Sequence, residues 1–162
     1  MKTLYILRHA KSDWNDASLS DFERPLNERG RKAASLIGET MKKRNYKPQI
    51  VISSPAVRAK QTAELIKENA ELKSEISFDS RIYEAHPQTL LEIVSEIDDA
   101  HDAALLVGHN PGFETLVRIL TGKIEPMPTA ALAIVDLDIE HWNQIFSANG
   151  TLREIIRPKE LD

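Results

Sequence analysis

The chain has 162 residues, with Lys plus Arg at 21, Asp plus Glu at 25 and a formal net charge of −4. That length suits one domain over 1–162 with a real buried core, and the mildly acidic balance argues against a general nucleic-acid binder. The absence of cysteine excludes disulfides, thiolate metal sites and a cysteine nucleophile. No apolar run approaches the ~18 residues of a membrane span. Met1–Arg8 lacks the apolar stretch of roughly 7–15 residues found in a secretory signal. A cytoplasmic chain without membrane contact is expected.

Thr3–Leu7 is a short apolar run without helical period and reads as a buried strand. The polar stretch Ser12–Pro25 reads as a loop. Asn27 is a suitable cap for a helix over Glu28–Arg44, where Ala33, Ala34, Leu36, Ile37 and Met41 fall at helical spacing. Gln49–Ser53 is a second strand, and Ser54 or Pro55 opens a helix running to Asn69. Ser77–Phe78 reads as a short strand and Gln88–Ile97 as a helix. Ala103–Val107 is a third strong strand. Pro111 or Gly112 opens the next helix, which Gly122 ends after Thr121. Ala131–Asp138 reads as a strand. Gln144–Ser147 and Leu152–Ile156 read as two more, joined through the Asn149-Gly150 turn. Strands alternating with helices predict an α/β fold with a mostly parallel central sheet and antiparallel C-terminal edge strands.

In such sheets ligands bind beyond the carboxyl ends of the strands. Arg8-His9 follow the first strand. Ser54-Pro55 follow the second, with Arg58 in the first turn of the next helix. Gly108-His109-Asn110-Pro111-Gly112 follow the third. Each group alone is ordinary. Together they bring two arginines and two histidines to one edge of the sheet from positions far apart in sequence. Phosphoryl transfer suits that set. Two guanidinium groups clamp phosphoryl oxygens in a geometry lysine does not offer, and backbone N–H groups near Asn110–Gly112 are expected to face the site. One neutral imidazole can attack phosphorus while the other, protonated, donates to the transferring group.

These segments carry a family resemblance. Leu7-Arg8-His9-Ala10-Lys11-Ser12 resembles the Arg-His-Gly signature of the histidine phosphatase (phosphoglycerate mutase-like) superfamily, with Ala10 in place of the glycine. Ser53-Ser54-Pro55-Ala56-Val57-Arg58-Ala59-Lys60-Gln61-Thr62-Ala63 and Val107-Gly108-His109-Asn110-Pro111 resemble its later motifs. Asp21, Arg24-Pro25-Leu26, Gly30 and Pro128-Thr129-Ala130-Ala131 resemble its SixA-like branch. The resemblance runs in order over about residues 3–138. It implies a three-layer α/β/α sandwich. It also implies His9 as the nucleophile that carries the phosphoryl group, with Arg8, Arg58 and His109 binding that group. Glu84, in Arg81-Ile82-Tyr83-Glu84-Ala85, matches the family's general acid, and Asn15 falls where mutase-type members place a phosphate contact. Ala10 fits if its φ is negative.

Trp14 is placed at the pocket mouth or in the core. His86, His101 and His141 stand outside any motif, and Asp98, Asp99 and Asp102 around His101 read as a solvated turn rather than a metal cluster. No metal and no cofactor are expected, because the arginines and histidines already supply positive charge. Between Glu84 and His109 there is room for one helix and one strand, without the long insertion that lids many small-molecule members. An open pocket admits a phosphorylated side chain of a protein, and the SixA-like resemblance implies phosphohistidine. A phosphatase of small phosphomonoesters and a non-catalytic phospho-residue binding module are the alternatives. A mutase is disfavoured by the missing cap.

Overall fold

Alternate residues of the first strand face opposite ways and join different halves of the core. In the computed structural model, which describes residues 1–161, that strand is β1 (Lys2–Arg8). It is followed by α1 (Glu28–Lys43), β2 (Ile50–Ser53), α2 (Val57–Ala70), β3 (Ile76–Phe78), α3 (Pro87–Ser95), β4 (Ala103–Gly108), α4 (Gly112–Thr121), β5 (Leu132–Leu137) and β6 (Gly150–Ile156). Leu4 and Ile6 pack with Leu90, Phe113 and Leu116 from α3 and α4. Tyr5 and Leu7 pack with Ile37, Met41, Ala63 and Ile66 from α1 and α2. The helices therefore cover both faces of one six-stranded sheet, ordered β3-β2-β4-β1-β5-β6, which is the three-layer arrangement the family resemblance implies.

Strands β3, β2, β4 and β1 are parallel, and β5 pairs antiparallel with both β1 and β6. The register brings Arg8 opposite Gly108 and Ser53 opposite Val107, so three neighbouring strands end level. Backbone pairing continues one residue further. His9 N–H donates to Gly108 O at 2.9 Å and Ser54 N–H to Val107 O at 2.9 Å. From the other side Ala130 N–H donates to His9 O at 3.0 Å. The first residues beyond the strands are thus fixed by the sheet itself.

Local chemistry explains the helix ends. Asn27 caps α1, its side chain accepting from Gly30 N–H at 2.8 Å. Gly30 also permits a close crossing: a Cβ there would lie 2.1 Å from Lys11 O. Gly122 ends α4 with φ of 74°, a conformation that glycine adopts without penalty. Helix α2 begins at Val57 rather than at Ser54 or Pro55, because Ser54 to Ala56 form a non-helical lead-in.

One strand assignment is corrected. Gln144–Ser147 is not a strand but part of a 3₁₀ segment, Trp142–Ser147. Gln144 Oε1 accepts from the N–H groups of Glu140 and His141 and winds the chain, while Trp142 and Ile145, three apart, both turn into the core. Of the two expected C-terminal strands only β6 forms, and it pairs with β5. The acidic turn around His101 is solvent-exposed, as expected, and also holds a buried lysine. Lys2, on β1, is 3% exposed and donates to Asp99 O at 2.8 Å, His101 O at 3.0 Å and Asp102 Oδ1 at 3.1 Å. The turn supplies the partners a buried ammonium requires. Among the described residues, no helix is long and apolar enough to cross a membrane.

Candidate active site

His9 leaves β1 buried, 7% exposed. Its Nδ1 lies 2.7 Å from Ala10 O. A carbonyl only accepts, so Nδ1 holds the proton and Nε2 keeps a lone pair. Arg58 Nε sits 3.4 Å from that Nε2. Burial pushes the His9 pKa down to about 3. The Ala10 bond opposes that shift, while His109, Arg58 and Arg8 add to it. The ring is neutral at physiological pH, as a nitrogen nucleophile must be. Ala10 is fully buried and is not among the positive-φ residues, so it replaces the signature glycine without strain. Its N–H donates to Thr62 Oγ1 at 3.0 Å, and that hydroxyl donates to Arg58 O at 2.7 Å. The nucleophile's backbone is therefore tied to the helix that carries Arg58.

Arg58, on the first turn of α2, is 6% exposed. Its NH1 donates to Asp21 O at 2.6 Å and its NH2 to Asp21 Oδ2 at 3.0 Å. Arg24 donates to Asp21 Oδ1 at 2.7 Å and to Ser12 Oγ at 2.6 Å. Tyr83 OH donates to Asp21 Oδ2 at 2.5 Å. These bonds to Tyr83, Arg24 and Arg58 hold the Asp21 carboxyl well below the usual range, so it is ionised. Arg8 NH1 donates to Met127 O at 3.1 Å, and the same carbonyl accepts from Asn110 Nδ2 at 2.9 Å.

His109 stacks at a tilt on His9, with ring centroids 5.2 Å apart, and Tyr83 meets it edge-on at 5.5 Å. Ser54 Oγ accepts from Ala56 N–H at 3.2 Å and lies 2.8 Å from His109 Nε2. Ser54 thereby anchors the His109 ring at Nε2 and leaves Nδ1 without a protein partner. Burial lowers the His109 pKa to about 4. Arg58 and Arg8 lower it further and Asp21 opposes them. His109 is therefore neutral in the free protein. At the start of α4, Phe113 N–H donates to His109 O and Glu114 N–H to Asn110 Oδ1, so these two amides close the turn.

Arg8, His9, Arg58 and His109 line one cavity of about 480 Å³, with Arg24 and Trp14. Trp14 is 74% exposed and lies at the mouth, its ring 3.3 Å from the Arg24 guanidinium carbon. Glu84 and Asn15 are not brought into this wall. Glu84 is exposed at φ of 55°, next in sequence to Tyr83. Asn15 is exposed on the loop before α1, its N–H donating to Asp13 Oδ1 at 2.7 Å. Sequence reasoning assigns no role to Arg24, Asp21, Tyr83 or Ser54. The Asp21…Arg24 spacing and the Ser-Ser-Pro segment are visible in the sequence, but their partners are not.

Three buried nitrogens on this wall have no hydrogen-bond partner: Arg8 Nε, Arg24 Nε and His109 Nδ1. Unpaired buried polar groups are costly, and two guanidinium N–H groups among them on one cationic cavity suit an anion with several oxygens. Among the described residues no three His, Asp or Glu side chains group as metal ligands. A model of the histidine phosphatase superfamily (branch 1) matches residues 4–110. The chain belongs to this superfamily. It is similar to a solved structure of the putative phosphohistidine phosphatase SixA from Agrobacterium tumefaciens, with 27% identity, 97% of this chain and 98% of that one covered, and a TM-score of 0.84. The protein histidine phosphatase SixA, solved with tungstate, is 25% identical over 99% of both chains, with a TM-score of 0.82. An uncharacterised chloroplastic protein of Arabidopsis thaliana is 26% identical, covering 92% of this chain and 72% of its own length.

Proposed function

We propose that this protein is a phosphatase that works through a covalent phosphohistidine on His9, with phosphohistidine in a protein as substrate. The observation that carries the reading is the state of His9. It is neutral, with Nε2 unprotonated, and faces Arg58 in a cavity where Arg8 Nε and Arg24 Nε are buried without a partner. In the first step the Nε2 lone pair forms a bond to phosphorus. The bond from phosphorus to the leaving nitrogen or oxygen breaks and its electron pair departs with the leaving group, which takes up a proton. In the second step water adds to phosphorus and yields a proton, and the P–N bond breaks back to His9. Arg8, Arg58 and His109 hold the phosphoryl oxygens throughout and stabilise their charge in both transition states. Glu84 is proposed to supply the proton in the first step and take one from water in the second. No metal enters this scheme.

The protein-substrate part of the reading rests on access. Only α3 lies between Tyr83 and β4, so no inserted segment covers the cavity, and the phosphorylated loop of a partner can reach it. Small phosphomonoesters reach it too, but with little to hold anything beyond the phosphoryl group. The SixA structures, at 27% and 25% identity over nearly the whole chain, favour the protein substrate. The test compares kcat/KM on a phosphohistidine-bearing phosphotransfer domain with that on an alkyl phosphomonoester. A preference for the protein supports the reading. An equal or reversed preference replaces it with a small-molecule phosphatase.

A further inference from the structure

Asp21 is bonded to both guanidinium groups on one side of the cavity. One carboxylate oxygen accepts from Arg24 at 2.7 Å and the other from Arg58 at 3.0 Å, and the Asp21 carbonyl accepts from Arg58 at 2.6 Å. The Arg58 side chain is therefore held at both terminal nitrogens by a single residue. Its remaining edge, at Nε, faces His9 Nε2 at 3.4 Å, the atom on which the phosphoryl group would reside. Arg24 is held in the same way between Asp21 and Ser12, and its Nε is left unpaired. The loop carrying Asp21 is itself anchored where Arg58 begins its helix: Val57 N–H donates to Phe22 O at 3.0 Å. Tyr83 OH completes the set, and its ring packs on His109.

We infer that Asp21 is a positioning residue for the phosphoryl-binding arginines. Two guanidinium groups side by side repel one another and keep many rotamers. A carboxylate bridging them removes both problems and leaves one edge of each free for the ligand. Asp21 does this without touching the phosphoryl group. Its charge also keeps the two cations from binding anions in orientations that do not present phosphorus to His9. The inference rests on the phosphatase reading of this cavity.

The test uses the full chain as wild type, Asp21→Asn and Asp21→Ala, with His9→Ala as control. Turnover of phosphoramidate gives kcat and KM, and orthophosphate inhibition gives Ki. Loss of the bridge is expected to lower kcat about tenfold or more while Ki for orthophosphate falls, because freed guanidinium groups capture the anion. A structural collapse would weaken phosphate binding along with kcat, and that pattern overturns the inference. So does a kcat within about twofold of wild type, or a rise, which would make Asp21 an inhibitory plug. Asp21→Asn keeps the side chain's shape and decides the matter if Asp21→Ala does not fold. Equal turnover by wild type and His9→Ala is a separate result: it removes the phosphatase reading and not the bridge.

Discussion

The Nδ1–H of His9 donates to the carbonyl oxygen of Ala10 at 2.7 Å, and this one bond decides which nitrogen of the ring is nucleophilic. The carbonyl is held in turn by geometry around Ala10, whose N–H is bonded to Thr62 on the Arg58 helix. The two bonds together make the nucleophile and its nearest cation parts of one rigid unit.

Titration of the imidazoles checks this arrangement first. Burial holds His9 near 3 and His109 near 4, both below the ordinary value of about 6.5. Below about 6.5 the unfolded chain binds protons at these positions and the folded chain does not. Stability therefore falls as pH falls from there toward the folded values, by about 1.4 kcal/mol per pH unit per ring. Urea unfolding at about pH 7 and about pH 5 should show that loss, and His9→Asn should lose less of it. Imidazole nitrogen shifts should show the Nδ1–H tautomer of His9 at neutral pH. A His9 midpoint near 6.5 contradicts the buried neutral ring.

Arg58→Ala should lower kcat/KM by about 10²–10³, or roughly 2.7–4 kcal/mol of transition-state stabilisation, as loss of a preorganised donor does. Arg58→Lys should recover little, because an ammonium cannot bond Asp21 from two nitrogens and still direct a third donor at His9. Steady-state kinetics distinguish the outcomes. A loss under about tenfold for the alanine variant would mean that the group contributes little to phosphoryl transfer.

Glu84 is exposed, next in sequence to Tyr83, and is proposed as the proton donor. Its contribution should depend on the leaving group. Glu84→Gln should cost an alkyl phosphomonoester about 10²–10⁴ in kcat and phosphohistidine much less, since the N–P bond is labile. Equal losses on the two substrates would assign the residue to something other than leaving-group protonation.

Gly30→Ala should damage both fold and site. The added Cβ would sit 2.1 Å from the backbone oxygen of Lys11, which lines the cavity. Backbone has to move, and a cost of about 1–3 kcal/mol is expected in chemical denaturation. Activity should fall with it as the Lys11–Trp14 segment shifts. A neutral substitution would show that α1 and the Lys11 segment are free to separate at this crossing.

The strands that carry the site are readable because the centres of β1, β2 and β4 are short apolar runs, and the residues just beyond each run can be placed by position alone. His9, Arg58 and His109 stand where that reading puts them. The Asp21 bridge is not readable. Asp21 and Arg24 look like a local surface pair at i and i+3, while the partners that give the pair its meaning are Arg58 and Tyr83, 37 and 62 residues further along. The segment Gln144–Ser147 misleads for a related reason: Ile145 and Phe146 look like a short apolar run, while Trp142 and Ile145, three apart, share a face in the 3₁₀ turn that Gln144 winds. The neutrality of His109 comes from its burial among arginines, which depends on packing and not on any neighbour in sequence.

The most direct measurement is capture of the phosphoenzyme. The protein is incubated briefly with a ³²P-labelled phosphodonor, quenched in base, and compared with His9→Ala. A labelled protein that survives base, loses its label in acid and is absent in His9→Ala is the predicted result. No label under conditions where the wild type turns over, or equal labelling of His9→Ala, would contradict covalent catalysis at His9.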